Sequence, residues 1–290
     1  MSDNVLHFYE IKTILEPTFY SRSGYSASHS DKGGGTRYRW PVWIRSEDRD
    51  TGYISRGVVQ IMTSKRSALI VVNMTNEFLF SEYGKEVVLE RAQKMIPAIR
   101  ALQEEFISRG LPVIFVNDSH LATDYEIKDW GPHSMGAAEG TRIAEGLLKD
   151  NVFVLGREWK EWDLDRIGGN KLMFEVKKGT YSGFTDSGGQ PTALHSLLKK
   201  LGIEAGGNLY ITGLHTNGGV KHTAADAYFR GYHPVIVSDC TDSFNDRDGI
   251  LGMDHSQALE YAKFWYRAGI MLSGEVTESL EAPEGIAISK

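Results

Sequence analysis

The chain has 290 residues, with 32 Lys and Arg against 38 Asp and Glu and a formal net charge of -6. That length suits one large α/β domain with additions, and the charge balance leaves no basic footprint, so nucleic acid is not expected as a partner. The single cysteine, Cys240, excludes an internal disulfide; no apolar run reaches the roughly 18 residues of a membrane span, and Met1 to Glu10 lacks a signal peptide's basic start, so a cytoplasmic protein away from membranes is expected.

Residues 1–66 alternate without a helical period and carry the aromatic cluster Tyr38-Arg-Trp-Pro-Val-Trp43 and a glycine-rich loop at Lys32 to Thr36. They read as an N-terminal extension of hairpin or irregular structure. Residues 67–290 read as a domain in which strands and helices alternate. Ala68 to Val72 is a short β-branched run of the kind buried on both faces of a parallel sheet. Glu86 to Arg109 carries a helical stripe (Val87, Leu89, Met95, Ile96, Ile99, Leu102, Phe106) that Gly110 stops. Strands follow at Pro112–Val116, Leu172–Val176, Leu209–Thr212, Pro234–Val237 and Ile270–Ser273. Helices follow at Gly140–Leu148, Pro191–Leu201, Thr216–Arg230 and Ser256–Arg267. This repetition predicts a three-layer α/β/α fold with a mostly parallel, Rossmann-like sheet. Val152 to Gly169, with Trp159 and Trp162 among charges, breaks the repeat and reads as an insertion that lids a site or forms a subunit contact.

Three segments carry chemistry. Ala68-Leu-Ile-Val-Val-Asn-Met-Thr-Asn-Glu-Phe78 is a strand that ends on polar residues, Val176-Lys-Lys-Gly-Thr-Tyr-Ser-Gly-Phe184 a strand that ends on lysines, and Ile211-Thr-Gly-Leu-His-Thr-Asn-Gly-Gly-Val220 a strand, a glycine-containing turn and a helix start. In order and spacing they resemble the isochorismatase-like cysteine hydrolases, from about Ser67 to Leu280. The resemblance implies that family's fold and its Asp, Lys and Cys triad, in which a thiolate attacks an amide carbonyl while backbone N–H groups bind the oxyanion. Carried over position by position, the lysine is Lys178, the carboxylate position holds Asn73 and the nucleophile position holds Gly219. Asn is neither acid nor base at neutral pH, and Gly offers no nucleophile. Isochorismatases, which cleave a vinyl ether, resemble this chain in lacking the cysteine but need the Asp that Asn73 replaces. Engineering of both positions to trap a ligand is a further reading.

The same resemblance implies a cis peptide between Leu214 and His215, oxyanion donors from the turn Leu214 to Gly219 including Gly218, and Tyr181 behind the lysine, either structural or facing substrate. His215 is an acid or base candidate, with packing an equal alternative. Asn117-Asp-Ser-His120 and Trp130-Gly-Pro-His-Ser134 resemble the metal segments of nicotinamidases, which makes Asp118, His120 and His133 a possible three-ligand set. A further histidine expected after His120 is absent, Asp124 lying in that neighbourhood, so a hydrogen-bonded pocket wall of Asp118, His120, Trp130 and His133 without a metal is the preferred reading. Glu77 reads as a solvated or loop-capping residue, and Cys240 as a small core residue. The expected function is hydrolysis of a small amide or enol-ether/carboxylate metabolite without a covalent cysteine intermediate and without a cofactor. The alternative is a catalytically inactive member that binds a small ligand or a protein partner. Assembly as a homodimer or homotetramer is expected.

Overall fold

A computed structural model describes residues 39–45, 54–60, 67–84, 89–244, 252–281 and 287–289. Strands β1 (Arg39–Arg45) and β2 (Ile54–Gln60) pair antiparallel, and β10 (Ala287–Ser289) joins the other edge of β2. The rest of the extension, 1–38 with its glycine-rich loop, 46–53 and 61–66, lies outside the described residues.

The central sheet has seven strands: β3 (Ala68–Val72), β4 (Val113–Asp118), β5 (Phe153–Leu155), β6 (Met173–Lys178), β7 (Asn208–Leu214), β8 (His233–Asp242) and β9 (Gly269–Met271). Their spatial order is β5-β6-β4-β3-β7-β8-β9, and every neighbouring pair is parallel. The β-branched run of β3 lies at the centre and is fully buried. Its two faces feed separate cores, Ile70 and Val72 packing with Leu194, Leu197 and Ala224, and Leu69 and Val71 with Ile99, Leu102 and Phe106. These are the two apolar layers of a three-layer α/β/α domain. Among the described residues no helix is long and apolar enough to cross a membrane.

The helices are α1 (Asn76–Leu79), α2 (Ile96–Ser108), α3 (Tyr125–Trp130), α4 (Leu194–Lys200), α5 (Lys221–Phe229), α6 (His255–Trp265) and α7 (Ser273–Glu281). Three differ from the sequence expectation for local reasons. The helix expected from Glu86 starts at Ile96, because Pro97 lacks an N–H and its ring would clash with a preceding helical turn; Glu90–Met95 is a tighter 3-10 segment. The helix expected over Gly140–Leu148 does not form: Gly146 sits at φ 87°, outside the helical region, and Ile143, Ala144 and Leu147 reach the core from irregular chain. The helix expected from Thr216 begins with a π-helical turn, Thr216–Val220, before α5.

One glycine sets the approach of that turn to the sheet. Gly213 is opposite Val72 in the β3/β7 register, with φ 101°, and a Cβ there would overlap the Val72 carbonyl. Only glycine lets β7 lie so close, and this brings the turn after β7 onto the end of β3.

Candidate active site

Parallel α/β sheets bind ligands beyond the carboxyl ends of their strands, and the sequence-selected residues sit there. Asp118 ends β4 and Lys178 ends β6, paired in register; Asn73 directly follows β3. The Lys178 ammonium makes an ion pair with Asp118 Oδ1, and both side chains are almost fully buried. Asn73 Nδ2 donates to Asp118 Oδ2 at 2.6 Å, while the Asp118 N–H donates to Asn73 Oδ1 at 3.2 Å. Asn73 adopts φ 50°, a left-handed conformation that asparagine tolerates. A carboxylate therefore reaches Lys178 from β4, and Asn73 grips it by donor and acceptor together. Burial pushes the Asp118 carboxyl up, but the Lys178 charge and hydrogen bond, with help from His120, hold it below the usual carboxylate value. Lys178 is committed to Asp118 and is not a free anchor for an anionic ligand.

The nucleophile position is closed by packing. A Cβ on Gly219 would lie 2.9 Å from Val72 Cγ1, 3.1 Å from the Leu214 carbonyl oxygen and 3.4 Å from that of Tyr181. Val72 precedes Asn73, and Tyr181 follows Lys178 by three residues, so position 219 lies beside the chain segments that carry Asn73 and Lys178. The peptide between Leu214 and His215 is cis. One expected donor is otherwise engaged, since the N–H of Gly218 turns back to the His215 carbonyl at 2.9 Å, as does that of Val220 at 3.1 Å. The Leu214 side chain belongs to the core.

His215 stacks on Phe244 with ring centroids 4.4 Å apart and meets the edge of Phe78. Burial drives its imidazole down to about 4 against the pull of Asp118 and Asp242, so the ring is neutral at physiological pH. This geometry gives it the packing role. Tyr181 is partly exposed, its hydroxyl accepts from Trp130 Nε1 at 2.8 Å and its ring stacks on His222 at 5.3 Å. His222, not selected from sequence, is tied to the turn by the Gly218 carbonyl at 2.7 Å. Cys240 is buried, and burial followed by the Asp239 charge raises its thiol to about 12, which leaves it inert at neutral pH.

Beside Asp118 lies a second cluster. One ligand atom each from Asp118, His120, Glu126 and His133 lies within 4.8 Å of all the others. The two imidazoles sit 4.7 Å apart. His120 Nδ1 faces Asp124 Oδ2 at 3.1 Å and His133 Nδ1 faces the Gly131 carbonyl at 2.9 Å; each Nδ1 is thus engaged by an acceptor oxygen outside the cluster. His120 Nε2 and Glu126 Oε2 are buried with no hydrogen-bond partner. Glu77 accepts from the Ser134 N–H at 2.8 Å, fastening the loop that carries His133 in the loop-capping role expected of it. Burial, then the negative charge of Asp118, lifts the Glu126 carboxyl to about 7. Burial likewise lowers His120, overriding the attraction of Asp118. Sequence reasoning had Asp118, His120 and His133 but preferred a metal-free pocket wall, and it missed Glu126, which belongs to no motif. The available signal was an acidic residue in the first turn of a short helix bracketed by the two histidines. Two nitrogens and two carboxylates suit a divalent cation by charge and donor type.

This sheet and strand-end site define an α/β hydrolase of isochorismatase architecture. Residues 67–272 match the Isochorismatase domain, and the chain belongs to the isochorismatase family. It is 28% identical over 193 residues to the isochorismatase family protein PncA of Bacillus subtilis (strain 168), which covers 66% of this chain and 93% of that protein. With the ureidoacrylate amidohydrolase RutB of Caulobacter segnis it shares 26% identity over 187 residues, 61% of this chain and 72% of the relative. Among solved structures, N-carbamoylsarcosine amidase from Thermoplasma acidophilum superposes with a TM-score of 0.55 at 28% identity, covering 76% of this chain and 99% of that one.

Proposed function

We propose that this hydrolase acts on a small amide or enol-ether/carboxylate metabolite with water as nucleophile, at a site where Asp118, His120, Glu126 and His133 hold a divalent cation. The observation that carries the reading is the convergence of those four ligand atoms within 4.8 Å, two of the buried atoms unpartnered, beside a nucleophile position without a side chain. An unpartnered buried polar atom costs about 1–3 kcal/mol, which favours a site organised for something that fills it. When bound, such a cation polarises a carbonyl or ether oxygen and acidifies a water.

The chain's own residues do the rest. Lys178 and Asn73 keep Asp118 ionised and oriented. The Nδ1 bonds of His120 and His133 present both Nε2 lone pairs. Tyr181, braced by Trp130 and His222, offers an aromatic rim against which a flat substrate group packs. Neither Gly219 nor the buried Cys240 thiol can carry an acyl group, so a covalent cysteine intermediate has no place in this reading. The amide branch draws support from the relatives, an amidohydrolase and an amidase by name. Self-association as a dimer or tetramer is part of the proposal, and sedimentation at micromolar concentration tests it.

The functional test is turnover of the full chain on primary amides, N-carbamoyl amides and a vinyl-ether carboxylate, with zinc(II) or cobalt(II) added and after dialysis against a chelator. Expected is cation-dependent hydrolysis that a thiol-alkylating reagent does not change. Hydrolysis undiminished by the chelator and by Glu126→Gln or His133→Ala would overturn the cation reading. The commitment of Lys178 to Asp118 favours one alternative, a member that binds its ligand without turning it over; binding of these compounds without hydrolysis of any is its signature.

A further inference from the structure

The stretch after β5 reaches into this site through one side chain, Arg157. Its guanidinium spans both carboxylate oxygens of Asp124, Nη1 to Oδ2 at 2.7 Å and Nη2 to Oδ1 at 3.0 Å, while Nε donates to Asp186 at 2.9 Å and Nη1 also to the Ser119 carbonyl at 3.1 Å. Asp124 Oδ2 in turn accepts from the Leu121 N–H at 2.9 Å and faces His120 Nδ1 at 3.1 Å. The His120 and Asp124 side chains are almost fully buried, and that of Arg157 is 13% exposed. The guanidinium lies over Gly179, the residue after Lys178, where a Cβ would overlap it. A planar, two-pronged donor in a slot kept open by a glycine is a role that lysine cannot fill.

We infer that Arg157 and Asp124 are positioning residues that hold His120 as its Nδ1–H tautomer, with the Nε2 lone pair aimed at Asp118, Glu126 and His133. A carboxylate behind a ligating histidine fixes the ring's tautomer and orientation and strengthens it as a ligand. The arginine, held on both oxygens, keeps that carboxylate stationary. The segment Val152 to Gly169 thereby gains a use distinct from a lid or a subunit contact. What His120 would bind rests on the cation reading above, whereas its tautomer does not.

The test uses the full-length protein with ¹⁵N-labelled histidine, His120 being assigned by loss of its signals in His120→Gln. Long-range ¹⁵N–¹H spectra of the metal-free protein are expected to show Nδ1 protonated and Nε2 bare, and Asp124→Ala to remove that preference. Cobalt(II), followed by visible absorption, is expected to bind Asp124→Ala about 10–100-fold more weakly than the unaltered chain. Asp124→Asn, which leaves an oxygen in place, should recover part of the loss, and Arg157→Lys should fall between. If Asp124→Ala does not fold, Gly179→Ala displaces the guanidinium with every carboxylate retained and should move both readouts the same way. A proton on Nε2 in the unaltered chain, or a tautomer indifferent to both Asp124→Ala and Gly179→Ala, would overturn the inference. The expected tautomer with no cobalt binding at all would leave the relay standing and sink the cation reading.

Discussion

The turn after β7 and the ends of β4 and β6 have gone opposite ways. The turn keeps its backbone, with the cis peptide at Leu214–His215 and the close approach of Gly213 to β3, but its reactive position is an emptied glycine with Val72 packed against it. The strand ends and the loops beside them carry charge, as Asp118, Lys178, His120, Glu126 and His133 lie together. One scaffold can thus hold a side-chain-free turn next to a charged cluster, because sheet register sets backbone positions and leaves the side chains free to differ.

The sharpest way to break this comparison is to attack the Asp118–Lys178 pair. Removing one partner of a buried ion pair strands the other charge, so Lys178→Ala and Asp118→Ala should each cost about 3–5 kcal/mol in urea unfolding. Replacing both by apolar residues should cost clearly less than the sum of the two single changes. A loss below about 1 kcal/mol for Lys178→Ala would mean that the pair does not organise the site.

Next in size is the acid response of His215. Its folded value of about 4 lies below that of a free histidine, so the unfolded chain takes up the proton first as the pH falls. Its contribution is complete above about pH 6.5 and is lost between pH 6.5 and 4, at most about 3 kcal/mol. His215→Phe, which retains the stack on Phe244, should flatten the stability curve in that window; an unchanged slope would show that the ring is not held neutral.

Smaller, and aimed at the turn, is the crowding of Gly219. Gly219→Cys should cost about 1–3 kcal/mol through overpacking, and Val72→Ala in the same chain should recover much of it. A costless Gly219→Cys would show that the position is open and only its side chain missing. The smallest effect is expected at Cys240, where iodoacetamide should label the folded chain far more slowly than the urea-unfolded one, its thiol being buried and protonated. Rapid labelling would put a reactive thiol back among the candidates.

Periodicity and β-branched runs were enough to predict six of the seven parallel strands, because a strand buried on both faces writes its apolar character into consecutive residues. The chain order of three motifs was enough to place Asn73 and Lys178 at strand ends and Gly219 in the turn after β7. β5 was not legible, being a three-residue edge strand inside an apparent insertion. The expected helix at Gly140–Leu148 failed because apolar spacing reports burial, and irregular chain can bury Ile143, Ala144 and Leu147 as well as a helix can.

The deeper division concerns contacts. By itself the sequence determined the fold class, through the alternation of apolar strands and helices, and it showed that position 73 holds an amide and position 219 no side chain, since each is a property of local pattern. Only the tertiary structure decided that Asp118 is the partner of Lys178, that Glu126 joins two histidines and that Arg157 stands behind Asp124. Those are pairings across 60, 6 to 7 and 33 positions of chain, made by strand register and loop path. A side chain's charge is written where it stands, but its partner depends on which strand ends lie side by side, and that follows from the order β5-β6-β4-β3-β7-β8-β9, which no local pattern encodes.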